Sequence, residues 1–326
     1  MRATVAVALA ALLFFASPQI NAQPVAAQCQ PGALGVSRVV EIDTSRGGRY
    51  GHVQYKDIDF LQEGEVVLTF DDGPSRVHTP PILAALDAHC TKATFFSTGR
   101  MAIADPQMLR ETARRGHTIG THTWSHKNLR SISAAQARHE IELGFSAVQA
   151  ALGEPVAPFF RFPYLSDPQS MQSLVQERGI AIFSIDVDSY DFRTPSGAVM
   201  QRNVLQQLAS RKKGIILFHD IQASTARGIK SLLDELKARG FRVVHLVPKT
   251  PVATVAEFDA IADKTIGNRR VAETNNPMTK RSVVWPVKPE PAAAAPTVAN
   301  TAPVSAPASR PVRTEEDDWR AKVFGR

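Results

Sequence analysis

An α/β architecture built on a parallel sheet, open or closed into a barrel, is what this sequence predicts, on three observations. Between Glu65 and Leu246, short β-rich runs alternate with helix-like stretches. Prolines near helix starts (Pro106, Pro168) and glycines directly after helix ends (Gly116, Gly179, Gly240) punctuate that alternation. Acids, imidazoles and a guanidinium recur in one phase, at the C-terminal ends of separate runs. Composition agrees: 326 residues, 44% hydrophobic and 21% charged, suit a globular chain and exclude collagen-like, coiled-coil and polyelectrolyte classes. Two cysteines, Cys29 and Cys90, are too few for an all-cysteine zinc site or a disulfide-dense scaffold.

Residues 1–22 begin with Arg2, run through an apolar stretch and end in small residues, which reads as a secretory signal peptide. Export to a periplasmic or extracellular compartment is therefore expected, and there Cys29 and Cys90 either pair or remain separate thiols. An N-terminal extension, 23–59, precedes a catalytic domain over 60–250. The first run, 66–70, ends in Asp71 and Asp72, and a helix is expected over 79–89. A run at 93–96 leads to a helix over 106–115. The third run, 117–120, is followed by His122 and His126, then by a helix over 133–152. The fourth run, 158–161, closes on Arg161 and precedes a helix over 168–178. Asp188 and Asp191 follow the fifth run, 180–185, and a helix is read over 197–210. His219 ends the sixth run, 215–218; a helix over 228–239 and a seventh run, 241–246, complete the pattern. A C-terminal helix and linker occupy 251–285. The Pro/Ala-rich stretch 286–326 has no apolar period and is expected to be a disordered tail.

In a parallel barrel the C-terminal strand ends share one face, which is where active sites sit. Asp72, His122 and His126 form a candidate metal triad. Two imidazoles four apart lie on one side if the segment is a helical turn, and two His plus one carboxylate leave coordination positions open, as in catalytic zinc sites. Such an ion activates water and polarises a carbonyl. Asp71, next to the liganding aspartate, points another way and is the candidate general base, with Arg161 as its partner. His219 is the matching general acid, held protonated and oriented by Asp191. The remaining histidines, His117 among them, read as surface or core imidazoles. Other motifs fail: Leu143 stands where a zincin helix needs its second histidine, no nucleophile elbow follows Gly144, and no phosphate-cradling loop exists.

Five segments in order carry a resemblance: Thr69-Phe70-Asp71-Asp72-Gly73-Pro74, Thr121-His122-Thr123-Trp124-Ser125-His126, Arg161-Phe162-Pro163-Tyr164, Asp188-Ser189-Tyr190-Asp191-Phe192 and Ile215-Ile216-Leu217-Phe218-His219-Asp220. Together they resemble the motifs of the polysaccharide deacetylase family (NodB-like domains, carbohydrate esterase family four), over roughly residues 60–250. The resemblance implies an irregular (β/α) barrel of about seven parallel strands and a divalent metal, commonly zinc, on Asp72, His122 and His126. It implies Asp71 as general base steadied by Arg161, and His219, paired with Asp191, as the acid that protonates the departing amine. Tyr164 would offer a backbone N–H to the oxyanion, and Leu217 would line the pocket for the acetyl methyl. Phe192 stands where the family usually has Trp or Tyr, which bears on substrate preference. The implied activity is hydrolysis of N-acetyl groups on N-acetylglucosamine-containing polymers or oligomers, chitooligosaccharide or peptidoglycan. An O-acetyl esterase on xylan-like glycans and a non-catalytic carbohydrate-binding envelope protein are the alternatives.

A formal charge of +7 favours anionic partners such as cell-wall polymers or lipid headgroups. No basic run is interleaved with aromatics, so nucleic acid is not an expected partner. A monomer without stable membrane insertion after signal cleavage is expected.

Overall fold

In the computed structural model, which describes residue 29, residues 32–56 and residues 58–275, every strand pairing is parallel. The expected signal peptide and the Pro/Ala-rich tail lie outside the described residues. The elements in order are β1 (Arg38–Ile42), β2 (Arg49–Tyr50), β3 (Glu65–Asp71), α1 (Thr79–Ala88), β4 (Thr94–Ser97), α2 (Gly99–Ala104), α3 (Pro106–Arg114), β5 (Thr118–Thr121) and α4 (Ala134–Leu152). They continue with β6 (Phe159–Phe160), α5 (Gln169–Glu177), β7 (Ala181–Phe183), β8 (Val187–Asp188), α6 (Gly197–Arg211), β9 (Gly214–His219), α7 (Ala223–Ala238), β10 (Arg242–Pro248) and α8 (Ala256–Asn275).

Strands β3, β4, β5, β6 and β7 pair in sequence, and β8 pairs β9, which returns to β3. The result is an irregular barrel of seven strands, left open among the described residues between β7 and β8. The run at 241–246 is not one of the seven. As β10 it pairs β1 along its length and touches only the start of β3, while Val187–Asp188 fills the ring position. A two-residue strand carries no periodicity, so its pairing is set by β9 alone. β2, from the N-terminal extension, lies against β7.

β3 is buried at all of its residues, as a strand covered on both faces must be. Its period-2 alternation sends Val66, Leu68 and Phe70 into the layer shared with the helices, while Val67 joins the barrel interior with Phe96, Phe159, Phe183 and Ile215. Phe70 stacks on Phe95 and Phe218 of the neighbouring strands at 4.9 and 5.3 Å between ring centroids. The same phase that turns Val67 inward turns Thr69 and Asp71 inward. On β9 it does so for Ile215, Leu217 and His219. Register then places Asp71 directly opposite His219. The barrel therefore delivers both groups to one level at its C-terminal end.

Helix starts follow local chemistry. Asp105 caps α3 by accepting from the Met108 N–H, with Pro106 in the first turn, and Ser133 and Gln136 form a reciprocal capping box on α4. Pro168 differs from the expectation: it is the capping residue of α5 rather than its first helical one. α8 packs Phe258 and Ala262 on Leu143 and Ala147 of α4. Cys29 and Cys90 are joined by a disulfide, tying the extension to the residue beyond the C-cap of α1.

Candidate active site

Asp71 is the last residue of β3, and the chain turns sharply after it. Asp72 adopts φ 78°, followed by a cis Gly73–Pro74 bond. Gly73 is required by proximity: a Cβ there would lie 2.0 Å from the Asp220 carboxylate. That buried carboxylate accepts the Thr79 hydroxyl at 2.6 Å, and the Asp220 N–H donates to the Asp71 carbonyl at 3.2 Å. Burial pushes the Asp220 carboxyl up to about 7. The β3 turn is thus latched to the end of β9. Sequence reasoning quoted Asp220 within a motif but gave it no task; an acid beside the candidate general acid was the only available signal.

His122 and His126 lie on the loop after β5. The segment is not the helical turn assumed for i, i+4 spacing: Thr123 and His126 take φ 68° and 59°. The rings converge nonetheless, with centroids 4.9 Å apart. Two devices hold the loop. Gly144 of α4 passes so close that a Cβ would meet the Thr123 carbonyl carbon at 2.6 Å. The buried Glu140 side chain accepts from the Ser125 N–H and hydroxyl at 2.8 and 2.7 Å.

Ligand-capable atoms of Asp72, His122 and His126 all lie within 4.8 Å of one another, the one such cluster among the described residues. His122 Nε2 is 3.7 Å and His126 Nε2 3.4 Å from Asp72 Oδ1. His122 Nδ1 donates to the Arg161 carbonyl at 2.7 Å, which fixes the tautomer that presents Nε2 to the cluster. Burial lowers the His122 pKa to about 4, against the raising effect of Asp71 and Asp72, so the ring is neutral at pH 7. A neutral imidazole pair and a carboxylate within this span suit a divalent cation.

Arg161 is completely buried, yet every donor direction is used. It donates to Asp71 Oδ1 at 2.7 Å, the Thr69 hydroxyl at 2.9 Å, and the Phe183 and Ser184 carbonyls at 3.2 and 3.1 Å. It also lies over the Phe96 ring, 4.4 Å from its centroid. Burial lowers the Arg161 pKa and Asp71 raises it; the guanidinium stays charged. Asp71 Oδ2 is left 3.8 Å from His122 Nε2, beside the cluster rather than inside it.

Opposite, His219 Nδ1 bonds Asp191 Oδ1 at 2.7 Å, while Asp191 Oδ2 accepts the His219 N–H at 2.7 Å and the Thr225 hydroxyl. Burial alone would raise the Asp191 pKa, but the His219 charge and these hydrogen bonds outweigh it and hold the carboxyl below its ordinary range. Phe192 sets its ring edge-on to His219, 5.8 Å between centroids. Tyr164 occupies a tight turn at φ 58°, its ring 4.6 Å from that of His126. Leu217 is buried in a small apolar cluster with Leu165 and Ile185, apart from the main core. Asp188 is buried beneath the site, where it accepts the Tyr190 N–H at 2.9 Å. His117, read as a core imidazole, is buried away from this group and accepts the Ala93 N–H through Nδ1 at 3.2 Å.

Residues 61–183 match a family model described as polysaccharide deacetylase; Asp191 and His219 lie beyond that match. A peptidoglycan-N-acetylglucosamine deacetylase of Bacillus cereus is 34% identical over 188 residues, 56% of this chain and 67% of that one. One from Listeria monocytogenes is 31% identical over 184 residues, again 56% of this chain but only 38% of the relative's length. Among solved structures, a peptidoglycan deacetylase of Bdellovibrio bacteriovorus superposes with a TM-score of 0.62 at 33% identity, covering 68% of this chain and 62% of that one.

Proposed function

The chain belongs to the polysaccharide deacetylase family, and from that premise we propose that it hydrolyses the N-acetyl group of N-acetylglucosamine units in a cell-wall glycan. One observation carries the reading. Asp71 and His219 stand opposite each other in register at the barrel mouth, each locked by its own buried partner, beside a His-His-Asp cluster. A binding module has no use for an oriented acid–base pair.

Asp72, His122 and His126 would hold a divalent cation, taken as zinc; when bound, it supplies a lowered water pKa and polarisation of the acetyl carbonyl. Asp71, fixed through Arg161, takes a proton from water as its oxygen bonds to the acetyl carbon. The Tyr164 N–H meets the charge that develops on the carbonyl oxygen, and the apolar cluster around Leu217 receives the methyl. As the C–N bond breaks, protonated His219 gives its proton to the nitrogen; Asp191 holds the imidazolium in place for that transfer. The products are acetate and a free amine. The same reading takes residues 60–250 as the catalytic unit, 1–22 as an export leader and the working form as a monomer in the periplasm or outside the cell.

The test is acetate release from chitooligosaccharides, peptidoglycan and acetylated xylan, before and after chelation and on restoring zinc. Release from the N-acetylated glycans that chelator abolishes and zinc restores is expected. Release from xylan alone would make the chain an O-acetyl esterase, and no release from any substrate would overturn the proposal.

A further inference from the structure

Beside the active site lies a polar cavity of about 350 Å³, walled by Arg49, Gln54, Tyr55, Lys56, Arg130 and Asp167. Residues 51–56 leave the C-terminal end of β2, which runs parallel to β7, so the cavity opens on the same face as Asp71 and His219. Three links tie it to the reacting groups. The loop bearing His126 continues to Arg130, and the turn holding Tyr164, whose ring meets His126, continues to Asp167. The Gln54 side chain donates to the Leu165 carbonyl at 2.7 Å and accepts the Ser184 hydroxyl at 2.8 Å, while the Ser184 carbonyl accepts from Arg161.

The cavity's charges are unbalanced. Arg49, Lys56 and Arg130 face one carboxylate, Asp167, which is buried and turned inward. It takes hydrogen bonds from the Tyr55 hydroxyl and from the Gln54 and Gln172 amides at 2.6 and 2.9 Å. Arg130 reaches only the Asp167 backbone carbonyl, at 3.1 Å; its guanidinium stays 4.0 Å from the carboxylate, and its side chain is 62% exposed. Lys56 is exposed at the rim, and Arg49 lies against the Tyr55 ring. A neutral glycan would be met by amides and carboxylates. Guanidinium and ammonium groups beside fixed amides suit an acid-bearing ligand.

We propose that this cavity is a subsite for a carboxylate-bearing sugar next to the acetamido sugar being deacetylated, with Arg130 and Lys56 as its anion-binding side chains. The inference rests on the deacetylase reading and deepens it: the substrate is a glycan in which an acetamido sugar alternates with an acidic one, as in peptidoglycan, rather than neutral chitin. The cations act on binding, so they set KM and not the chemical step.

The experiment measures kcat and KM for acetate release from a muramyl-containing peptidoglycan oligomer and from chitotetraose, in the parent chain and in the double variant Lys56→Gln, Arg130→Gln. The expected result is a roughly tenfold rise in KM for the anionic oligomer, with kcat and the chitotetraose KM within about twofold of the parent. A second measurement needs no variant: reducing the oligomer's carboxylates to alcohols should raise the parent's KM about as much. Equal losses on both substrates, no loss on the anionic one, or indifference of the parent to carboxyl reduction would overturn the subsite. A parent that releases acetate from neither substrate would instead refute the deacetylase reading itself.

Discussion

Replacing Asp191 by Asn is the sharpest probe of the acid side of the site, because it changes one atom's chemistry and almost no volume. Asp191 Oδ2 already receives two donors, the His219 N–H and the Thr225 hydroxyl, so the amide oxygen of Asn takes that place. The amide NH2 is then left facing His219 Nδ1 across the 2.7 Å that now holds a charge-assisted bond. A donor cannot face a protonated Nδ1, so the imidazolium needed to protonate the amine is disfavoured. Losing a hydrogen bond to a charged group costs about 1.5–3 kcal/mol, and adding the donor–donor conflict gives roughly 2–4 kcal/mol on the barrier. This corresponds to a fall in kcat of about 30- to 1000-fold. The assay is acetate release against pH. The alkaline limb of the profile, where the acid loses its proton, should move to lower pH, because the carboxylate that favoured the charged imidazole is gone. Stability carries a second signature. Asp191 titrates below its ordinary 3.8 when folded, so its contribution is fully present above that value and is lost as pH falls through the folded pKa. The melting-temperature gap between parent and variant should therefore be open at pH 7 and narrow below about pH 4. A folded variant with kcat within threefold of the parent and an unmoved alkaline limb would refute the orientation argument.

Three further outcomes follow from the same geometry. Asp71→Asn should lower kcat by about 10²–10⁴-fold while one equivalent of metal is retained by elemental analysis, since Asp71 lies beside the ligand cluster rather than in it; metal loss in parallel with activity would reassign it as a ligand. Gly73→Ala forces a methyl to within 2.0 Å of the buried Asp220 carboxylate. It should destabilise the fold by about 1–3 kcal/mol in urea titrations and weaken metal affinity, because the displaced turn carries Asp72; a parent-like denaturation midpoint would show that the latch yields freely. Reducing the Cys29–Cys90 bond, which spans a sequence separation of 61, should lower stability by at most about 4 kcal/mol without changing kcat. Calorimetry with and without reductant checks the first part, and a fall in kcat would place the extension in the catalytic machinery.

What could be read from the sequence was everything that local backbone geometry enforces. Alternation in 66–70 and 215–218 predicts inward and outward faces, and that phase puts Asp71 and His219 on the inner side at strand ends before any partner is known. The capping chemistry of Ser133 and the glycines at 116, 179 and 240, all at positive φ, is equally local. Pairing is a different kind of fact. Val187–Asp188 enters the ring and 241–246 leaves it because β9 and β1 offer the matching edges, which no window of sequence contains. The histidines converge through left-handed turn residues braced by Gly144 and Glu140, not through a helical period. Arg161 meets Asp71 across a separation of 90 residues, and Asp220 closes on Gly73 and Thr79 from the far side of the barrel. Residue types and their phase are set by neighbours along the chain; which of them share a dry interior, and at what distance, is settled only when non-local strands close and water is driven out between them.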